Sequence, residues 1–499
     1  MVSGDRHLVP YVDLAIPPGV YANGTQRQAK GRWRLSNLVR WPDGPNMQPI
    51  NGWRQKGSAS ALSAKARAIH IWRDNSALRW AMVGTSAKLQ VFNSAGTVYD
   101  ITPVGFTPGS DDATTGSGYG TSTYGTGTYG APRPDSTSIV PASVWTLDQW
   151  SQYGVGCMEG DGKAYEWTLA TGTPAAVISG APTGLNGIMV TGEKFMFAFT
   201  DRNVAWSDQG TNTTWTPAAT NQAGDFDLTT QGSIMCGKRV RGANLVFTDV
   251  DVWAATYRAD IFVYNFERVG ENCGLLGKNG VVSLDGRAFW MGRGAFFAYN
   301  GGSVDVLDCE VTDYVFQNIN EQQSSKVTAW YNVDFGEVWW HYPSSSATEN
   351  DSYVMYSTRT GRWAVGSMTR TCGAAAGVFQ YPLLMGADNK LYEHEVGWGY
   401  GGVYPYAQSG PLELGTGDQV MNVAGFIGDE GTEGEARISF ITRDFPNLSE
   451  TTHGPYTIST APTCARFTAR QAEAKVEFIA AADSRFGVMR MDMQPGGRR

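Results

Sequence analysis

No two cysteines of this sequence lie near one another. Cys157, Cys236, Cys273, Cys309, Cys372 and Cys464 are widely spaced, with no CxxC or CxH pair, whereas zinc ligation normally shows close-spaced ligands. Zinc ligation by these residues is therefore not expected, and buried reduced thiols in a protein made in a reducing cytoplasm are. Charge is also scarce: Asp, Glu, Lys and Arg make up 17% of the chain, against a typical ~25%. The balance is −8, which speaks against general affinity for nucleic acid or anionic membranes. No apolar run approaches the ~20 residues of a spanning helix. The opening Met1-Val2-Ser3-Gly4-Asp5 lacks the basic-then-apolar layout of a secretory signal, so the chain reads as soluble and not exported by the usual route.

Catalytic signatures are missing too. There is no HExxH, GxSxG or GxxxxGK[ST], the spacings that build metalloprotease, nucleophile-elbow and phosphate-loop sites. The match Gly125-Thr126-Gly127-Thr128-Tyr129-Gly130 runs into Ala131-Pro132-Arg133-Pro134, where no helix begins to receive a pyrophosphate. His7, His70, His341, His394 and His453 are scattered. His341, between Trp340 and Tyr342, reads as packed or edge-exposed. His394, flanked by Glu393 and Glu395, reads as an unusually titrating group or one on a solvated blade edge. Glycoside hydrolysis needs two carboxylates across a cleft, and nothing selects a pair from Asp225, Asp227, Asp249, Asp251, Glu337, Glu393 and Glu395. No catalytic, cofactor-binding or metal-binding residue is assigned, and the chain is expected not to be an enzyme.

What is abundant is glycine, 61 of 499 residues, together with 17 Trp, 22 Tyr and 21 Phe. Many short strands joined by tight turns have this composition. Seven times a turn rich in Gly, Asp or Asn leads into a short aromatic strand, anchored at Phe92, Trp167, Trp206, Trp253, Phe297, Trp340 and Tyr392. Apart from a longer first interval, the spacing is roughly 40–50 residues, the signature of a β-propeller. One blade cannot bury both faces of its sheet, so blades stack radially until a ring closes. Alternation points to strands: Phe262, Tyr264 and Phe266 share a face within Ile261–Phe266, and Val338, Trp340 and Tyr342 oppose Glu337, Trp339 and His341. Helical spacing is rare, and Val311, Val315 and Ile319 predict one short helix between blades.

The expected fold is all-β: a six- or seven-bladed propeller over residues 61–405, with a small β domain built from 406–499 and the N-terminal arm, 1–60. The arm, with Trp33, Trp41 and Trp53 among turns, has no core of its own and must dock on something. Arg437–Thr442, Ala474–Ala480 and Val488–Met493 read as strands of the C-terminal domain. An insert at 108–134 repeats Tyr119-Gly120, Tyr124-Gly125 and Tyr129-Gly130 at a strict interval. It is either a flexible spacer or a surface whose spaced Tyr119, Tyr124 and Tyr129 rings meet a partner.

Several segments carry a family resemblance. They are Leu14-Ala15-Ile16-Pro17-Pro18-Gly19, Asn23-Gly24-Thr25, Gly31-Arg32-Trp33, Asn37-Leu38-Val39-Arg40 and Gln48-Pro49-Ile50-Asn51-Gly52-Trp53 near the start. Val204-Ala205-Trp206-Ser207-Asp208, Ala223-Gly224-Asp225, Phe289-Trp290-Met291-Gly292 and Glu337-Val338-Trp339-Trp340 follow, then Gly454-Pro455-Tyr456 and Arg485-Phe486-Gly487. Together they resemble the tail nozzle or tail-hub proteins of short-tailed bacteriophages, also called packaged-DNA stabilisation proteins. The resemblance implies a propeller on a platform-like β domain, assembled as a hexameric ring of the virion tail in the host cytoplasm. Its implied partners are copies of itself, adaptor and portal-side proteins, and tail fibre or needle proteins. Genome DNA would pass through the lumen without specific binding. The resemblance implies no catalytic residue or cofactor. The alternative is a receptor- or glycan-binding tail propeller.

Overall fold

Seven four-stranded antiparallel sheets account for most of the chain in this computed structural model, which describes residues 11–497 apart from 43, 58–60, 119–132, 430, 433–434, 446 and 459–461. Blade 1 runs inside to outside as Ala66–Arg73, Arg79–Thr85, Leu89–Phe92 and Val98–Asp100. Blades 2 to 6 repeat this meander, with inner strands Trp145–Trp150, Gly187–Val190, Ile234–Val240, Val281–Leu284 and Thr328–Asn332. Blade 7 has three sequential strands, Arg370–Ala374, Leu383–Gly386 and Leu391–His394, and takes its fourth, Trp53–Gln55, from the arm. Each inner strand lies against the next, and that of blade 7 against that of blade 1, which closes the ring. The protein is a seven-bladed β-propeller.

The aromatic anchors mark equivalent places in six blades. Phe92, Trp167, Trp206, Trp253, Phe297 and Tyr392 all lie on third strands, whereas Trp340 lies on the second strand of blade 6, Glu337–Tyr342. Blades are joined through large rings whose polar ends are satisfied across the seam. Trp72 of blade 1 donates to the carbonyl of Gln152, and Trp145 of blade 2 donates back to that of Thr85, at 2.9 and 2.7 Å. Such close approach requires notches. A Cβ at Gly84 would lie 2.3 Å from the Trp145 ring, and one at Gly154 would lie 2.9 Å from the ring of Trp72.

Two details differ from the expected pattern. Ile261 and Phe262 are not in a strand, which begins at Tyr264. The Asp260 carboxylate accepts from the amide of Phe262, and Val263 adopts a positive φ of 60°, so the chain turns there and leaves Ile261 and Phe262 89% and 67% exposed. Cys464 is exposed while the other five thiols are buried, because it lies on the outward face of Thr463–Ala469, where buried and exposed residues alternate. The expected short helix is Thr312–Phe316. Among the described residues, no helix is long and apolar enough to cross a membrane.

A second β unit packs beside blade 6. Its four-stranded sheet has the order Val12–Leu14, Met489–Pro495, Met421–Ile427, Thr463–Ala469. The five-stranded sheet runs Trp33–Asn37, Tyr406–Ser409, Gln471–Phe478, Ala436–Arg443, Thr451–Thr457. Phe426 and Phe467 meet Phe440 across the two sheets, with ring centroids 5.7 and 5.1 Å apart. The joint with the propeller is formed by the arm: Ser36 Oγ donates to the Val365 carbonyl and accepts from the Val365 amide, and Asn37 Oδ1 accepts from the Ser367 amide. One apolar core runs from blade 6 through Trp33, Val39 and Trp41 into this sandwich. That continuity explains why Glu337–Tyr342 is buried on both faces.

Candidate functional site

The propeller axis is plugged at one end by the connector between blades 4 and 5. Lys278 extends across the axis to the carbonyl of Asn186 and the carboxylate of Glu159, both at 2.6 Å. Asn279 donates its side-chain amide to the carbonyls of Arg67 and Trp145, at 2.9 and 3.3 Å. These bonds satisfy inner-strand backbone groups that have no further strand to pair with, as buried polar groups require.

The same end carries the root of the insert. Thr114–Gly118 pairs with Arg133–Val140 as an antiparallel ladder, and residues 111–113 below it are clamped to the propeller. Ala113 exchanges two hydrogen bonds with the Gln323 side chain, both at 3.0 Å. Lys326 reaches Asp112 at 2.5 Å and Glu349 at 3.1 Å, while Arg67 grips Glu349 with both terminal nitrogens at 2.7 and 2.8 Å. Burial disfavours the Glu349 carboxylate, but Arg67 and Lys326 outweigh it and hold its pKa down to about 2. Beside this clamp a groove of about 500 Å³ is lined by Ile139, Pro141, Leu275, Arg293, Phe316 and Ile319. Tyr119, Tyr124 and Tyr129 lie outside the described residues.

The acids singled out from sequence are dispersed as structural partners. Asp225 and Asp227 accept from Asn203. Asp249 accepts from the Ser233 amide, and Asp251 from Thr230, Thr248 and Trp253. Glu393 binds Arg54 and Lys56 and so fastens the arm strand to blade 7. Asp225 and Asp227 meet on the one side-chain nitrogen of Asn203 at an exposed position; in the interior Glu337 and Glu395 come together, and Arg40 stands between them, at 3.0 and 2.6 Å. All three are almost fully buried, and the guanidinium lies 3.6 Å from the centre of the Phe335 ring. Burial raises the Glu337 pKa to about 7; Arg40 opposes this and Glu395 adds to it. The assembly links the arm to blades 6 and 7. Among the described residues, no group of three His, Cys, Asp or Glu side chains is placed to hold a metal ion.

His341 and His394 are both buried, at 0% and 2% exposure, so His394 is not on a solvated edge. Burial, reinforced by the Arg370 charge, holds His341 down to about 3 and His394 well below its ordinary value. As neutral rings they accept hydrogen bonds, His341 from Trp330 and His394 from Arg370. Arg370 itself lies between Trp53 and Tyr392, 5.0 and 4.6 Å from the ring centres, without an ion-paired carboxylate among the described residues. Sequence reading missed Arg40, Arg67, Lys326 and Arg370. Isolated basic residues in a sparsely charged chain were the only available signal.

No sequence-family profile and no curated protein matches the chain. Among solved structures it is similar to a streptogramin B lyase, at 9% identity and a TM-score of 0.40, over 69% of this chain and 97% of that one. It is also similar to virginiamycin B lyase from Staphylococcus aureus, at 6% identity and a TM-score of 0.42, over 70% and 98%. The Pan2 WD40 domain of Neurospora crassa is similar at 8% identity and a TM-score of 0.39, over 69% and 95%. Likeness at this level carries no activity, substrate or partner over to this chain.

Proposed function

We propose that this protein is a virion structural component, a ring-forming propeller of a short phage tail that closes the head-to-tail channel and lines part of the genome conduit. The observation that carries this reading concerns the arm segments of the resemblance, which occupy the joint between propeller and sandwich. Trp33, Leu38, Val39 and Arg40 are each at most 2% exposed, and Trp53 sits in the strand that completes blade 7. On this reading they lock two β units into one rigid building block, and the role is mechanical rather than catalytic.

The plugged axis sets where a conduit would run. DNA would pass between copies of the chain, not through a propeller whose axis Lys278 and Asn279 obstruct. An acidic chain suits such a passage, since each basic group neutralising a phosphate releases counterions and adds affinity that would retard sliding. The glycan-binding alternative draws on stacking by exposed Trp, yet all 17 Trp are buried or half-buried.

The test is the mass of the purified full chain in solution and its place in assembled particles. A ring of six 54.1 kDa copies, with density between portal and tail tip, is the expected result. A persistent monomer, together with virions that lack the chain, would overturn the proposal.

A further inference from the structure

Above the plug, the propeller axis opens into a blind pocket of about 160 Å³. Its walls are inner strands, with His70 from blade 1, Asp148 from blade 2, Lys238 and Arg239 from blade 4 and Ser283 from blade 5, and Lys278 contributes to its lining. We infer that this pocket is a binding site for a small oxyanion, a molecule presenting a phosphate or carboxylate group to Lys238, Arg239 and His70.

The charge balance is the first support. Lys238, Arg239 and Lys278 bring three positive charges. Asp148 and Glu159, the carboxylates paired with Arg239 and Lys278, return two. One positive charge is left over, in a chain whose net charge is −8. Nor is Asp148 free to neutralise Lys238. One of its oxygens accepts from the Val190 amide at 2.8 Å, and the other accepts from the Gln149 amide at 2.8 Å and from Arg239 at 3.0 Å. It is consumed in joining blade 2 to blades 3 and 4.

Unused donors are the second support. Lys238 is half-buried and has neither a carboxylate nor a hydrogen-bond partner among the described residues. Arg239 spends one terminal nitrogen on Asp148 and is 44% exposed, which leaves further guanidinium donors for a ligand. The His70 ring interacts with the Gln149 side chain, yet its Nε2 is buried with no hydrogen-bond partner; as an N–H donor it would pair with a bound oxyanion. A buried polar atom left unpaired costs free energy, so a site that pairs it has a built-in driving force. Charge-assisted hydrogen bonds to carboxylate or phosphate are the strong class.

The third support is shape. The plug makes the pocket blind, so a ligand enters from one end and meets rigid walls on the inner strands. The volume holds several water molecules, or one compact anion in their place, and is too small for a polymer. This inference does not depend on the virion reading.

The experiment is calorimetric titration of the full chain with inorganic phosphate and, separately, with citrate, at constant ionic strength with sodium chloride as control. Saturable binding of one anion per chain is expected for at least one of the two, and the arm that responds identifies phosphate or carboxylate chemistry. Lys238→Ala, which removes a side chain that makes no hydrogen bond or ion pair among the described residues, should weaken binding about 10-fold or more. Lys238→Arg should retain most of it. Equal thermal melting of wild type and Lys238→Ala would show that the loss is not unfolding, and Arg239→Ala provides a second variant if it is. No saturable heat with either anion, an equal response to chloride, or affinity unchanged in both alanine variants would overturn the inference.

Discussion

Glu337→Gln should change how stability depends on pH while leaving the fold intact. Glu337 is fully buried, with Arg40 from the arm, Glu395 beyond blade 7, and Asn332, Trp339 and Tyr353 of its own blade around it. Burial and the neighbouring Glu395 raise its pKa from 4.5 to about 7, against the pull of Arg40. Between those two values the folded protein holds a proton that the unfolded chain has released, so stability falls as pH rises through this window. At about 1.4 kcal/mol per pH unit, the full effect of this residue is about 3 kcal/mol, fully developed only above neutrality. Glutamine keeps the shape and cannot ionise. Relative to wild type, Glu337→Gln should therefore gain stability progressively from about pH 5 to about pH 8. Urea midpoints read by tryptophan fluorescence in parallel at each pH report the difference. Taking that difference cancels the three buried histidines, His70, His341 and His394, whose depressed pKa values act in the opposite direction. A difference that stays constant with pH, or falls, would refute the reasoning.

Other variants probe the remaining joints. Glu349→Ala leaves Arg67 and Lys326, each with a side chain 1% exposed, with only the more exposed Asp111 and Asp112 as carboxylate partners, and should cost about 3 kcal/mol in chemical denaturation. In the wild type, the depressed pKa of Glu349 means that its stabilisation is present above 4.5 and is lost as pH falls from there toward 2, a loss that acid titration of Glu349→Gln should lack. Gly84→Ala drives a methyl group into the Trp145 ring and should destabilise by about 1–3 kcal/mol, read from the shift in urea midpoint. Trp53→Ala removes the ring over Arg370 and beside His394. It should loosen the closing strand, measured as faster tryptic cleavage after Arg54 and Lys56. Unchanged cleavage would mean that the strand is held by its backbone pairing and Glu393 alone.

The propeller was legible because its repeat is written in local chemistry. A turn followed by an aromatic strand recurs wherever a third strand must fill the space between blades. The anchors Phe92, Trp167, Trp206, Trp253, Phe297 and Tyr392 mark that place. Trp340 broke the register without breaking the pattern, because both middle strands of blade 6 are buried between neighbouring blades and the sandwich. Phe262 looked like a strand residue by alternation. A turn with a left-handed Val263 removed it from the strand, and period two alone cannot signal such a turn.

Composition and local periodicity by themselves determined an all-β chain, a repeated aromatic blade and a short interblade helix, Thr312–Phe316. Only the tertiary structure decided that there are seven blades, that Trp53–Gln55 completes the last one, and that Arg40 separates Glu337 from Glu395. It alone also brought His70, Asp148, Lys238 and Lys278 around one axis. The reason is physical: a strand's alternation is set by its own neighbours along the chain. Ring closure and charge pairing depend on contacts between residues hundreds of positions apart, whose value exists only once the intervening blades have folded.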